Sequence, residues 1–168
     1  MSYYFVIIGT KDNPLFEHEF GTYRQGGDGI SRFREDTRHM NQFVAHASLD
    51  ILEEVQWAGG QMYLKTIDRY PPTGSTISAF ITAANAKFLL LHQPNNISTT
   101  SNPSSLTANR NAPTSTTPAA TDEAIKNFFN DVYDSWVKTI MNPFWRVDTP
   151  VRSPVFRSRV AASAKKYL

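Results

Sequence analysis

His46 and Asp50 stand four residues apart in the stretch HMNQFVAHASLDILEE. At 3.6 residues per turn that spacing puts both on one helical face, where an imidazole and a carboxylate can act as an acid–base pair or as two ligands of a metal. A metal site needs a third and fourth donor, and the remaining histidines, His18, His39 and His92, show no spacing that brings them to this pair. A surface ion pair is the plainer reading. Other chemistry finds even less support. Gly9 to Pro14 contains one glycine and so forms no phosphate-cradling loop, and Gly26-Gly27-Asp28-Gly29 precedes no strand-to-helix turn. No serine lies in a G-x-S-x-G context, and with no cysteine there is no thiolate to take its place. We therefore assign no catalytic residue, and we expect neither cofactor nor metal.

Charge points to no polymeric anion as a partner. Seventeen basic and 15 acidic residues give a formal net charge of +2 over 168 residues, too weak a field to predict nucleic acid binding. The basic residues do collect near the C-terminus, at Arg146, Arg152, Arg157, Arg159, Lys165 and Lys166. Such a group can attract an anionic membrane or an acidic partner, or simply solvate a helix face. The absence of cysteine fits a reducing compartment, and the cytosol is the expected location. The opening MSYYFVIIGTKDNP lacks the basic region and the small-residue cleavage site of a signal peptide. No apolar run approaches the roughly 20 residues needed to cross a bilayer.

The elements that would carry these residues follow from periodicity. Tyr3 to Ile8 and Leu15 to Phe20, separated by an Asp12-Asn13-Pro14 turn, read as a hairpin in which Phe16, His18 and Phe20 form the more apolar side and Leu15, Glu17 and Glu19 face water. Gly21 to Arg34 reads as a flexible connection. From Thr37, Met40, Phe43, Val44, Ala47, Ile51 and Val55 recur at three and four residues and predict a helix buried along that stripe. Gly59-Gly60 would stop it in a left-handed conformation. Three strands follow, Met62 to Tyr70, Thr76 to Ala84 and Lys87 to His92, linked by Pro71-Pro72-Thr73-Gly74 and a turn at Asn85.

Residues 93–120 are dominated by Asn, Ser, Thr and Pro and predict a disordered, low-complexity insertion between the last strand and the second helix, not a boundary between domains. A single domain over residues 1–168 is expected. The second helix begins at Thr121, which can cap it, and buries Ile125, Phe128, Phe129, Val132, Trp136 and Ile140. Asn142-Pro143 ends that helix, and Ser153-Pro154 opens a third with Phe156, Val160 and Ala164 facing inward. The order is two strands, a helix, three strands and two helices. It predicts an α/β (α+β) fold: a three-layer α/β/α sandwich around a five-stranded, mostly antiparallel sheet, with one helix on one face and two on the other. Leu49 and Leu52 flank the expected stripe of the first helix, so its apolar arc exceeds one sheet contact, and the surplus is expected either to meet a partner or to wedge between sheet and loop.

Specific strings then carry a resemblance. YYFVIIGTKDNPLFEHEF, RHMNQFVAHASLDILEE, MYLKTIDRY and SAFITAANAKFLLLH, with DEAIKNFFNDVYDSWVKTIMNPFW and SPVFRSRVAASAKKYL after the polar tract, resemble the sedlin family. The departures are the glycine-rich connection around Gly26 and the tract at 93–120. The resemblance implies a longin-like, or SNARE-like, domain and a non-catalytic adaptor subunit of the TRAPP vesicle-tethering complex in ER-to-Golgi and Golgi transport. It implies other TRAPP subunits as partners, both small core and large compartment-specific ones, with only an indirect link to a Rab GTPase. It implies a cytoplasmic protein, peripheral at ER and Golgi membranes through the complex. The family's contact aspartate matches Asp50, which with His46, Leu49 and Glu53 forms the expected protein-binding site. Positions matching Ser78, Phe88 and Val160 read as structural. A paralogous sedlin-like subunit, another longin trafficking adaptor, a small enzyme using His46 and Asp50, or a nucleic acid binder using the C-terminal basic residues are the alternatives.

Overall fold

A computed structural model describes residues 1–23, 26–93 and 119–168. Five strands, β1 (Ser2–Ile8), β2 (Pro14–Gly21), β3 (Tyr63–Tyr70), β4 (Ser75–Ile81) and β5 (Lys87–Gln93), form one sheet in the order β2-β1-β5-β4-β3. Every neighbouring pair is antiparallel. The first and last strands in the chain are thus central neighbours, with Phe5 opposite Leu90.

Alternation along these central strands divides the core in two. Tyr4, Val6 and Ile8 point to the face covered by α2 (Met40–Val55), which follows a short helix α1 (Glu35–Arg38). Tyr3, Phe5 and Ile7 point to the other face, under α3 (Ala119–Ile140) and α4 (Pro154–Tyr167). This is the expected three-layer sandwich.

The aromatic layer lies on the α3–α4 side. Phe5 meets Phe88 and Phe128 edge-on at 6.1 and 5.4 Å, and Phe88 meets Trp136 edge-on at 5.8 Å. The α3 stripe is buried as its period predicts, with Ile140 half-buried at the end. Ser153 caps α4 by accepting from the Phe156 amide, with Pro154 in the first turn, and Phe156, Val160 and Ala164 are buried.

Several local expectations differ. Leu15 is buried rather than facing water, because the register slips at Ile7/Ile8 (Ile7 opposite Phe16, Ile8 opposite Pro14), which makes Leu15 the extra residue of a bulge. The connection after β2 is pinned to the sheet: Gly21 N–H donates to Gly29 O, Thr22 N–H to Met1 O, and Arg32 N–H to Ser2 Oγ. Helix α2 passes into a 3-10 turn (Gln56–Ala58), and Gly59 is extended at φ −159°, so no left-handed residue closes it. Helix α3 starts at Ala119, which leaves Thr121 inside it rather than at its cap. Apart from Gln93 and the first residues of α3, the predicted insertion lies outside the described residues.

Candidate protein-docking face

The inward face of α2 is rotated from the stripe read in the sequence. Its buried residues are Asn41, Val44, Ala45, Ser48, Leu49 and Leu52, which sit on the β1, β4 and β5 side chains of that face. Of the predicted stripe only Val44 is buried; Phe43 and Ala47 are exposed, while Met40, Ile51 and Val55 are half-buried. The reason lies in two polar residues. Counting apolar side chains alone discounts Asn41 and Ser48, yet both are buried, and Ser48 satisfies itself by donating to Ala45 O at 2.7 Å.

Leu49 must therefore be reassigned. At 4% exposure it anchors the helix to the sheet and is no contact residue. The surplus of apolar surface is real but belongs to other side chains. Phe43, Ala47 and Ile51 follow one another at four-residue spacing, and Trp57, 85% exposed, continues them in the 3-10 turn. His46, Asp50 and Glu54 are exposed on the same outer side. Beside Trp57 opens a groove of about 310 Å³ lined by Gln56, Gly60, Gln61, Met62 and Ile81. Sequence reasoning missed Trp57 because it lies past the end of the periodic stretch, although an aromatic outside a buried stripe was itself the signal.

Glu53 has a second role. Its Oε1 lies 3.3 Å from Lys87 Nζ, which also donates to Asp12 Oδ1 at 2.7 Å. Lys87 is buried at the start of β5. Burial pulls its pKa down, but the two carboxylates outweigh that and hold it above the ordinary lysine value. The triad fastens the C-terminal half of α2 to the turn between β1 and β2. Nothing in the sequence pattern marked it beyond a lysine leading an apolar strand.

No hydrogen bond or ion pair joins His46 to Asp50, and neither lines the described clefts. Among the described residues, no group of three or more His, Asp or Glu side chains is placed to hold a metal ion. A cleft of about 730 Å³ lies instead at the other end of α2, where Arg38 Nη2 is 2.7 Å from Glu19 Oε2 and Gln42 Nε2 donates to Glu17 at 3.0 Å. Burial and the neighbouring Glu17 carboxylate raise the Tyr4 phenol above its usual pKa, which keeps it neutral there. The outer side of α2 thus offers an exposed apolar strip edged by charge, which suits recognition of another protein.

Ser78, Phe88 and Val160 are all buried, the latter two at 0% exposure. Among the described residues no helix is long and apolar enough to cross a membrane.

Comparison with known proteins matches residues 7–166 to the family described as Sedlin. The chain is 38% identical to a probable trafficking protein particle complex subunit 2 of Drosophila melanogaster, over 99% of this chain and 97% of that protein. It is 36% identical to the transport protein particle 20 kDa subunit of Schizosaccharomyces pombe over the whole of both chains. It is 32% identical to the trafficking protein particle complex subunit 20 of Saccharomyces cerevisiae, over 100% of this chain and 99% of that one.

Proposed function

The chain belongs to the Sedlin family, and from that premise we propose that it is a non-catalytic subunit of a trafficking protein particle complex that docks other subunits on the outer side of α2. Small core subunits and large compartment-specific subunits are the partners in this reading. The assembly acts in ER-to-Golgi and Golgi transport at the cytoplasmic side of those membranes, and its link to a Rab GTPase is indirect.

The exposed series Phe43, Ala47, Trp57 around Asp50 carries the proposal. Exposed aromatics of this kind supply most of the energy in protein interfaces, while a charged residue on the rim sets register and specificity. Leu49 and Glu53 contribute from behind, one by packing and the other through Lys87.

The test uses the full chain, tagged, in native lysate. Trp57→Ala and Asp50→Arg should each keep the wild-type unfolding transition and each lose the co-purifying complex subunits. Full recovery of those subunits with both variants would refute the α2 face as the dock. A lowered transition with either would show that its side chain supports the fold.

A further inference from the structure

A second apolar cluster lies at the connection between α3 and α4. Met141, Phe144, Val147 and Val155 are all exposed there, Phe144 at 91%. Four cations accompany them: Lys138, Arg146, Arg152 and Arg159 are exposed, and none makes an ion pair among the described residues. Between Ser135 and Leu168 the chain has seven Lys and Arg residues but a single carboxylate side chain, Asp148.

That carboxylate is already engaged. Asp148 accepts from the Thr10 amide at 2.8 Å and the Thr10 hydroxyl at 2.7 Å, and its carbonyl accepts from Asn13 Nδ2 at 3.0 Å. Val151 N–H donates to Leu15 O at 2.7 Å. The connection is thereby strapped to the sheet edge and its apolar side chains are held outward. An open groove of about 280 Å³ beneath them is lined by Lys138, Asn142, Val155 and Arg159.

We propose that this connection is a membrane-contact site of the chain itself, in which Phe144 and its apolar neighbours enter the interface of an anionic lipid bilayer while the four unpaired cations meet lipid phosphates. The charge argument decides the occupant. Apolar side chains set among unpaired cations, with Asp148 held by Thr10 and only Asp134, one turn before Lys138 on α3, as an exposed carboxylate beside them, match an acyl layer beneath a negative headgroup layer. A protein partner would instead have to supply both an apolar pocket and a ring of acids. The contact involves the α3–α4 connection and the adjoining turns of those two helices, and so does not rest on the α2 docking face.

Purified full chain is mixed with phosphatidylcholine vesicles, with or without phosphatidylserine, and the bound fraction is measured by co-sedimentation at rising salt. Binding is expected on the phosphatidylserine vesicles, weakening with salt, and absent on phosphatidylcholine alone. Arg146→Glu and Arg152→Glu should each lower the partition coefficient about fivefold or more, as expected for loss of one surface cation. Phe144→Ala should lower it as well. Lys126→Glu lies 12 residues up α3 from Lys138, about 18 Å along the helix, and should leave partition near wild type. Absence of wild-type binding at low salt, or equal loss in Lys126→Glu and the connection variants, overturns the proposal. So does unchanged partition in Phe144→Ala, or release of a complex subunit by these variants when the wild type binds no lipid.

Discussion

His92 should make this protein lose stability in mild acid. The residue is buried in β5 between the Tyr3 and Thr76 pairings, its Nε2 has no hydrogen-bond partner, and its ring lies 6.4 Å from that of Tyr3. Burial pushes the imidazole from its ordinary 6.5 down to about 4, against a smaller upward pull from Asp122. A depressed folded pKa means that between these values the unfolded chain takes up a proton which the folded chain refuses. Stability is therefore complete above 6.5 and falls as pH drops toward 4. The gap between 6.5 and about 4, at about 1.36 kcal/mol per pH unit, corresponds to about 3 kcal/mol. Carboxylates titrate in the same range, so the measurement must be a difference. Urea unfolding of wild type and His92→Phe should be compared from about pH 7.5 to about pH 4. The wild type should lose about 3 kcal/mol more than the variant over that range. An NMR titration of the imidazole protons checks the origin directly. Parallel stability curves for the two proteins, or a His92 resonance titrating at its ordinary value, would refute the reasoning.

Four further outcomes follow from packing and pairing. Lys87→Met should cost about 1 kcal/mol or less, since Asp12 and Glu53 are half-exposed and water can replace the ammonium. The double variant Asp12→Asn, Glu53→Gln should cost about 3–5 kcal/mol, because it leaves that buried ammonium without a carboxylate; chemical denaturation measures both. Phe88→Ala, at the centre of the aromatic layer, should cost about 3–5 kcal/mol by the same assay. Tyr63→Phe removes the phenol that donates to Asp122 Oδ1 at 2.5 Å, and should lower stability by about 1–2 kcal/mol at neutral pH.

The layers and their order were legible because their signals are redundant. The α3 stripe, the Ser153-Pro154 start of α4 and the continuous apolar runs of the central strands, which need cover on both faces, each point to one arrangement. Helix α2 was harder for a physical reason. It carries large apolar residues on two sides, so spacing alone cannot say which side meets the sheet, and the small polar residues that allow close approach count against the correct answer. Leu49 was misplaced by that ambiguity, whereas Asp50 and His46 are exposed in either phase. The Leu15 bulge and the Lys87 triad depend on register and on contacts between distant segments, such as Asp12 with Lys87, which no local pattern encodes. The extended Gly59 shows that a Gly-Gly pair can mark where a helix stops without fixing the conformation that stops it.

Both surfaces meet at one small joint. In the turn after β1, Asp12 accepts from Lys87, which also holds Glu53 of α2, while Thr10 and Asn13 hold Asp148 of the α3–α4 connection. Gly9 stands at its base, donating to Asn13 O at 2.9 Å, and a Cβ there would run into the Asp148 carboxylate. A turn of five residues thus fixes α2 on one face of the sheet and the α3–α4 connection on the other relative to the same backbone. Such bracing reduces the ordering cost when either surface binds, because the contact side chains stand on elements already tied to the sheet. It also explains why a charged triad lies beside an otherwise apolar layer. Its hydrogen bonds have fixed lengths and partners, so they can set the register of a helix whose apolar residues, lying on two sides, would let it roll on the sheet.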